Sequence, residues 1–281
     1  MFTGIGTGIG TPANQIGKSI LRTDTFDVIE PSAVGDLDAT LLASYDTSVN
    51  AQLLRNAIAD STFDHTLGTT TGAATNDPTF TGTAGDPAAY FAMDGGDYFE
   101  LNVASAAAAN SFFQTIHVDQ DFWFTTAFRM IDYTASTVSF NLFCSGPTVG
   151  KNGLFIRVVV SSGSSWIRIT QEGGSGTVTY NGSTPLTYSA DNIVTVSYSH
   201  STNTLRVWVN SDTAHESSIT FASSGALTRI PCLASGVIGA RPFESGQRWY
   251  SAAFGDEFIS NAQTKAIQDH IKFRHTGRSY A

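Results

Sequence analysis

Ile193-Val194-Thr195-Val196-Ser197-Tyr198-Ser199-His200-Ser201-Thr202-Asn203-Thr204-Leu205-Arg206-Val207-Trp208-Val209 decides the fold. Val194, Val196 and Tyr198 alternate with Thr195 and Ser197. A polar turn follows from Ser199 to Thr204. A second alternating run then places Leu205, Val207 and Val209 on one face and Arg206 and Trp208 on the other. Period-two alternation on both sides of a polar turn predicts a β-hairpin with one buried face. Two further apolar stretches follow, Ile238-Gly239-Ala240-Arg241-Pro242 and Trp249-Tyr250-Ser251-Ala252-Ala253-Phe254-Gly255-Asp256-Glu257-Phe258.

The rest of the composition agrees with a β-rich chain. At 281 residues there is room for one large β domain or two small ones, and a core of that size folds without staples. Charged residues are sparse, at 14%, and Gly, Ser and Thr abound, which fits many strands joined by turns. The formal charge of −9 disfavours nucleic acid as a partner. No apolar run approaches a membrane span, so no membrane insertion is expected. The N-terminus lacks a charged segment followed by an apolar core, so no signal peptide is expected. Cys144 and Cys232, the only two cysteines, exclude a disulfide scaffold; they are either buried thiols or one disulfide.

Strands are expected at Phe122–Met130, Val138–Cys144, Gly153–Val160, Ser165–Gln171 and Thr177–Tyr180, punctuated by glycines and Asn181-Gly182. Ala106–Ala109 predicts a short helical turn. Residues 60–89, rich in Thr, Gly, Asp and Pro, read as a long loop. At the C-terminus Ser260 can cap a helix and Gln263 can complete a capping box, with Ala262, Ala266, Ile267, Ile271 and Arg274 as its packing stripe. Residues 1–37 are expected to form an extended arm, because Gly4, Gly6, Gly8 and Gly10 alternate with Ile or Thr and cannot hold a structure alone. The arm is either a loose terminus or a segment that orders on a neighbouring subunit through Phe2, Ile5 and Ile9.

Residues 40–275 resemble the laminin-G-like, concanavalin A-type jelly rolls. The resemblance rests on Leu41-Leu42-Ala43-Ser44-Tyr45-Asp46 as the opening strand, and on Tyr90-Phe91-Ala92-Met93-Asp94-Gly95-Gly96-Asp97-Tyr98-Phe99-Glu100-Leu101 as two strands about a tight glycine turn. It rests also on Phe122–Met130, on the hairpin, on Ile238-Gly239-Ala240-Arg241 and on the strand ending in Asp256-Glu257 before the helix. It implies an all-β, two-sheet antiparallel sandwich over residues 38–281, with a short C-terminal helix. Together with the glycine-rich start it implies a bacteriophage virion protein, assembled in the host cytoplasm.

Three candidate sites follow. Some relatives bind calcium with loop carboxylates, which marks Asp94, Asp97, Asp256 and Glu257; the alternative makes the first two turn formers and pairs the last two with Arg241, Arg248 or the closing helix. Trp208, with Arg206, Trp166 and Trp249, would stack on sugar rings if its face is open, or lie in a second core layer if a loop or the helix covers it. The Glu-x-Asp-x-x-Glu motif of enzymes with this fold is absent, and Asp119-Gln120-Asp121 precedes a strand as a turn would. The six histidines show no metal-ligand spacing.

The function expected from these readings is non-enzymatic. The resemblance implies a virion structural protein, tail- or fibre-associated, homo-oligomeric, joined to other virion subunits by its arm and contacting host surface glycans, with no cofactor unless calcium. The alternatives are a capsid-decorating protein and a polysaccharide-degrading enzyme of the same fold.

Overall fold

The hairpin forms as its alternation demands. In the computed structural model the two strands are β12 (Asp191–Ser199) and β13 (Thr204–Val209), paired from Val194↔Val209 to Ser199↔Thr204. Val194, Val196, Tyr198, Leu205, Val207 and Val209 all enter the main core. The structure describes residues 33–280 apart from 42–52, 59, 70–71, 73, 134–136, 146–152, 174–175, 183–184, 222–224 and 235–241, and for 172–173 and 176–180 the backbone alone.

Two antiparallel eight-stranded sheets enclose that core, a jelly-roll-type sandwich. The first sheet runs β14 (His215–Ser218), β13, β12, β7 (Phe122–Arg129), β16 (Arg248–Gly255), β5 (Tyr90–Ala92) and β4 (Thr79–Thr81). β1 (Ala33–Asp38) joins it by pairing with β16. The second sheet runs β11 (Gly176–Asn181), β10 (Ser164–Gly173), β9 (Gly153–Ser161), β8 (Val138–Cys144), β15 (Cys232–Leu233), β6 (Phe99–Leu101), β3 (His65–Leu67) and β2 (Leu53–Leu54). Between the sheets aromatic rings meet edge to face or tilted, as Phe91 does with Phe99 at 5.1 Å and Phe99 with Trp249 at 4.7 Å. Such pairs add about 0.5–1.5 kcal/mol each beyond the area they bury.

Three expectations need correction. The sandwich starts before residue 38, because β1 is already paired within it. The Asp94-Gly95-Gly96-Asp97 turn does not close a hairpin: β5 belongs to the first sheet and β6 to the second, so the turn carries the chain across the sandwich. Each strand is short, and each finds its hydrogen-bond partners in its own sheet. Residues 60–89 hold β3 and β4 as well as loop. The readings of Phe2, Ile5 and Ile9, of Leu42–Asp46 and of Ile238–Arg241 lie outside the described residues. Cys144 and Cys232 face each other across β8 and β15 as buried thiols with no disulfide between them. No helix among the described residues is long and apolar enough to cross a membrane.

A second core lies on the outer face of the first sheet. Helix α2 (Asn261–Arg274; the one-turn α1 is Ser111–Thr115) starts at the predicted capping box of Ser260 and Gln263. Its buried side is Thr264, Ile267, Gln268, Ile271 and Arg274, whereas Ala262 and Ala266 are exposed, which shifts the stripe by part of a turn. Ile267 and Ile271 cover Trp123, Trp208 and Tyr250. Gly255 is required here, because a Cβ at that position would lie 1.9 Å from Trp123 Nε1.

The end of α2 is locked to β1 by charge. Arg274 Nη1 lies 2.8 Å from Asp36, Nη2 pairs with Asp38, and His275 Nε2 lies 3.2 Å from Asp38. Thr40 donates both its N–H and its hydroxyl to Asp38. Burial pushes the Asp38 carboxyl up, but Arg274, His275 and Thr40 together outweigh it and hold the group well below the usual carboxylate range.

Removing one member of such a buried cluster strands the others. Arg274→Ala is expected to cost about 3–5 kcal/mol in urea denaturation. Trp208→Ala is expected to cost about 3–5 kcal/mol by emptying the second core. Because Asp38 is depressed on folding, its contribution is complete above its ordinary value of 3.8 and is lost only as the pH falls below it. An Asp38→Asn protein should therefore differ from the parent at pH 7 and converge on it in strong acid.

Candidate functional site

A row of charged residues crosses the outer face of the first sheet just past the end of α2. Asp191 opens β12 and pairs in register with Arg129 at the end of β7; Arg129 pairs in turn with Arg248 at the start of β16. Side chains directly opposite on adjacent strands point to the same face, so the three stand side by side. The chain beyond α2 returns over this row: Ser279 O accepts the N–H of Asp191 at 3.2 Å, and Asp191 Oδ2 accepts the N–H of Ser279 at 2.9 Å. Arg278 thus arrives as a third guanidinium. Together with Ala88, Tyr90, Tyr250, Thr276 and Gly277 these residues line a cleft of about 400 Å³.

The charges within it are unequally engaged. Asp191, buried, accepts from Tyr250 Oη, from Arg129 Nη1 at 3.3 Å and from Ser279. Arg129 Nη2 also donates to Ser189 O at 2.6 Å. Arg278 donates to Ala89 O at 2.7 Å and to Pro87 O at 3.2 Å, and lies 3.6 Å over the Tyr250 ring. The Arg248 guanidinium lies 4.6 Å over the Tyr90 ring, and its side chain makes no hydrogen bond or ion pair among the described residues. Burial, and then the carboxylate of Asp191, push the Tyr250 hydroxyl far above its ordinary value, so it stays a donor.

The residues singled out in sequence lie elsewhere. Trp208 is fully buried beneath α2, with its indole N–H donated to Asn261 at 2.9 Å; its face is covered, and it offers no ring to a sugar. Trp249 is fully buried between the sheets. Arg206 is held by Glu216 at 2.7 Å, by Ile259 O at 3.0 Å and by the Phe258 ring at 4.3 Å. Trp166 is half-buried on the second sheet, opposite Val159, apart from these others. Asp121 accepts from His200 N and Ser199 Oγ, anchoring the hairpin as a turn residue.

The four carboxylates named for calcium do not converge. Asp94 and Asp97 sit in the turn after β5, beside the start of β16, while Asp256 and Glu257 follow its far end. No group of three or more His, Cys, Asp or Glu positioned to share a metal ion occurs among the described residues. Asp97 Oδ2 accepts the N–H of Asp94 at 2.7 Å and Asp94 Oδ1 that of Gly96 at 3.1 Å, which makes both turn formers. Asp97 is buried with Oδ1 unpartnered, and burial, reinforced by the carboxylates of Asp94 and Asp77, pushes it up to about 7. Sequence reasoning missed the arginine row, since Arg129, Arg248 and Arg278 become neighbours only through strand register and the return of the tail.

No family model matches this chain, and no curated protein matches it. Solved structures do share its fold. A Trypanosoma rangeli sialidase in complex with the inhibitor DANA superposes with a TM-score of 0.55 at 13% identity, over 92% of this chain and 39% of that one. The receptor binding domain of botulinum neurotoxin D gives 0.53 at 13% identity, over 87% and 53%. The chain thus spans well under two thirds of either protein's length. The carbohydrate-binding CBM40 of a Ruminococcus gnavus IT-sialidase, bound to α2,3-sialyllactose, gives 0.46 at 9% identity, over 64% and 96%. The first two likenesses show the fold alone, a two-sheet antiparallel sandwich.

Asp97 yields a pH signature. Its folded-state value is raised, so its contribution is complete below its ordinary 3.8 and is lost as the pH rises through about 7. Asp97→Asn cannot ionise and should escape that loss. Relative to the parent it should gain ~1 kcal/mol or more between pH 4.5 and pH 8, measured by urea denaturation at each pH.

Proposed function

We propose that this chain is a non-catalytic glycan-recognition module whose binding site is the cleft lined by Tyr90, Arg129, Asp191, Arg248, Tyr250 and Arg278. The cleft itself carries the reading. Its volume, about 400 Å³, suits one or two sugar rings. Its walls combine tyrosine rings with guanidinium donors, and the hydroxyls of Thr276 and Ser279 stand exposed at its rim. Most enzymes that hydrolyse glycosidic bonds do so with two facing carboxylates. The cleft has one, Asp191, and that one is engaged by three donors.

In the fuller form implied by the sequence, the module belongs to a bacteriophage virion, tail- or fibre-associated, with the segment before residue 33 attaching it to its neighbours and a head-decorating role as the alternative. That placement is supported by the sequence resemblance alone. Antibody labelling of imaged particles should mark the tail; label confined to the head would favour the decorating role.

On a broad glycan array the protein is expected to retain a defined subset of glycans while releasing no reducing ends from the corresponding polysaccharides. Steady release of reducing ends would overturn the non-catalytic reading, and an array without bound glycans would overturn the module reading.

A further inference from the structure

We infer that the ligand of this cleft is an acidic saccharide, whose anionic group is held by Arg248 with the help of Arg129 and Arg278; the inference rests on the glycan reading above. Three observations support it. First, the row is costly to the fold. Arg129 and Arg248 stand directly opposite on adjacent strands, where like charges destabilise a sheet. A chain with only 15 basic residues against 24 acidic ones nevertheless spends three of them here.

Second, the compensation is incomplete. Asp191 is the one carboxylate lining the cleft, and it pairs with Arg129 alone among the guanidiniums. Arg248 has the Tyr90 ring beneath it and no hydrogen-bonding partner among the described residues. Its planar fork of N–H donors matches a carboxylate or sulfate, and stacking on the ring fixes its orientation before any ligand arrives.

Third, the neighbouring cations are fixed in place. Arg278 is tied to Ala89 O and Pro87 O and stacked on Tyr250, and Arg129 is tied to Asp191 and Ser189 O. They supply positive potential from set positions while Arg248 supplies the open donors. An anion entering the cleft would relieve the repulsion that the fold otherwise bears.

The test uses matched glycan pairs with the full chain. Oligogalacturonate is set against its carboxyl-reduced form, sialylated against desialylated oligosaccharides, and sulfated against desulfated galactan, with binding followed by calorimetry. At least one acidic member should bind, its neutral counterpart should bind at least 10-fold more weakly, and the pair that responds separates carboxylate from sulfate. Arg248→Gln should weaken acidic binding about 10- to 100-fold. The same substitution should leave the thermal midpoint unchanged or raised, since it removes a like-charge pair; a merely structural arginine would lower it.

Equal binding of both members of every pair would overturn the acidic assignment and leave the glycan reading intact; acidic binding untouched by Arg248→Gln would overturn the placing of the anion on Arg248. Failure of all members, acidic and neutral, would overturn both.

Discussion

Arg274 is the residue on which the arrangement depends. Its guanidinium, wholly desolvated, reaches Asp36 and Asp38 on β1 and so ties the last helix to the first described strand. Isolated charges at such depth would be prohibitively costly, so strand and helix are placed together or not at all. With α2 fixed, its apolar side seals Trp123, Trp208 and Tyr250 against the sheet. Gly255 completes the seal by leaving room for the Trp123 ring. The core between the sheets is a separate cluster from this layer, and without the layer the outer face of the first sheet would be an open aromatic surface.

That closure decides which part of the outer face stays open. A helix lying across the outer face removes Trp208 from solvent, and with it the most direct way for this sheet to meet a sugar. The helix ends at Arg274, however, before covering the row of Asp191, Arg129 and Arg248. The residues that follow bend back over the row and are pinned by the paired bonds between Asp191 and Ser279. The cleft is therefore bounded by sheet on one side and by the returning tail on the other. The lock that closes most of the face also sets where it stays open.

What could be read in the sequence was local. The hairpin, the long strand Phe122–Arg129 and the capping box at Ser260 all announce themselves within a few residues, through alternation or through a cap motif. Trp208 was correctly placed opposite the inward residues, but the alternation of a strand does not say what covers its other face. β1 was illegible for a related reason. Ala33-Val34-Gly35-Asp36-Leu37-Asp38 carries acids at alternate positions, which look solvent-facing until their partner, Arg274, is brought in from the far end of the chain. The turn at Asp94–Asp97 has the glycines of a hairpin, and only the separate sheet partners of Tyr90–Ala92 and Phe99–Leu101 show that it crosses the sandwich instead. The cleft was hidden most deeply, because no motif links Arg129, Arg248 and Arg278.

The overall charge of −9 and the positive cleft are not in conflict. A distant anion meets the field of the whole molecule, which repels it. At physiological ionic strength that field is screened over about 8 Å, so an anion already at the surface responds mainly to the charges it touches. In the cleft those are three guanidiniums and one engaged carboxylate. Long-range repulsion with short-range attraction slows encounter without abolishing affinity, and discriminates by contact rather than by net charge. A surface bristling with unrelated anions would then gain little from proximity, whereas a single acidic sugar that fits the space between Tyr90 and the tail would meet the open donors of Arg248 and the positive potential of Arg129 and Arg278.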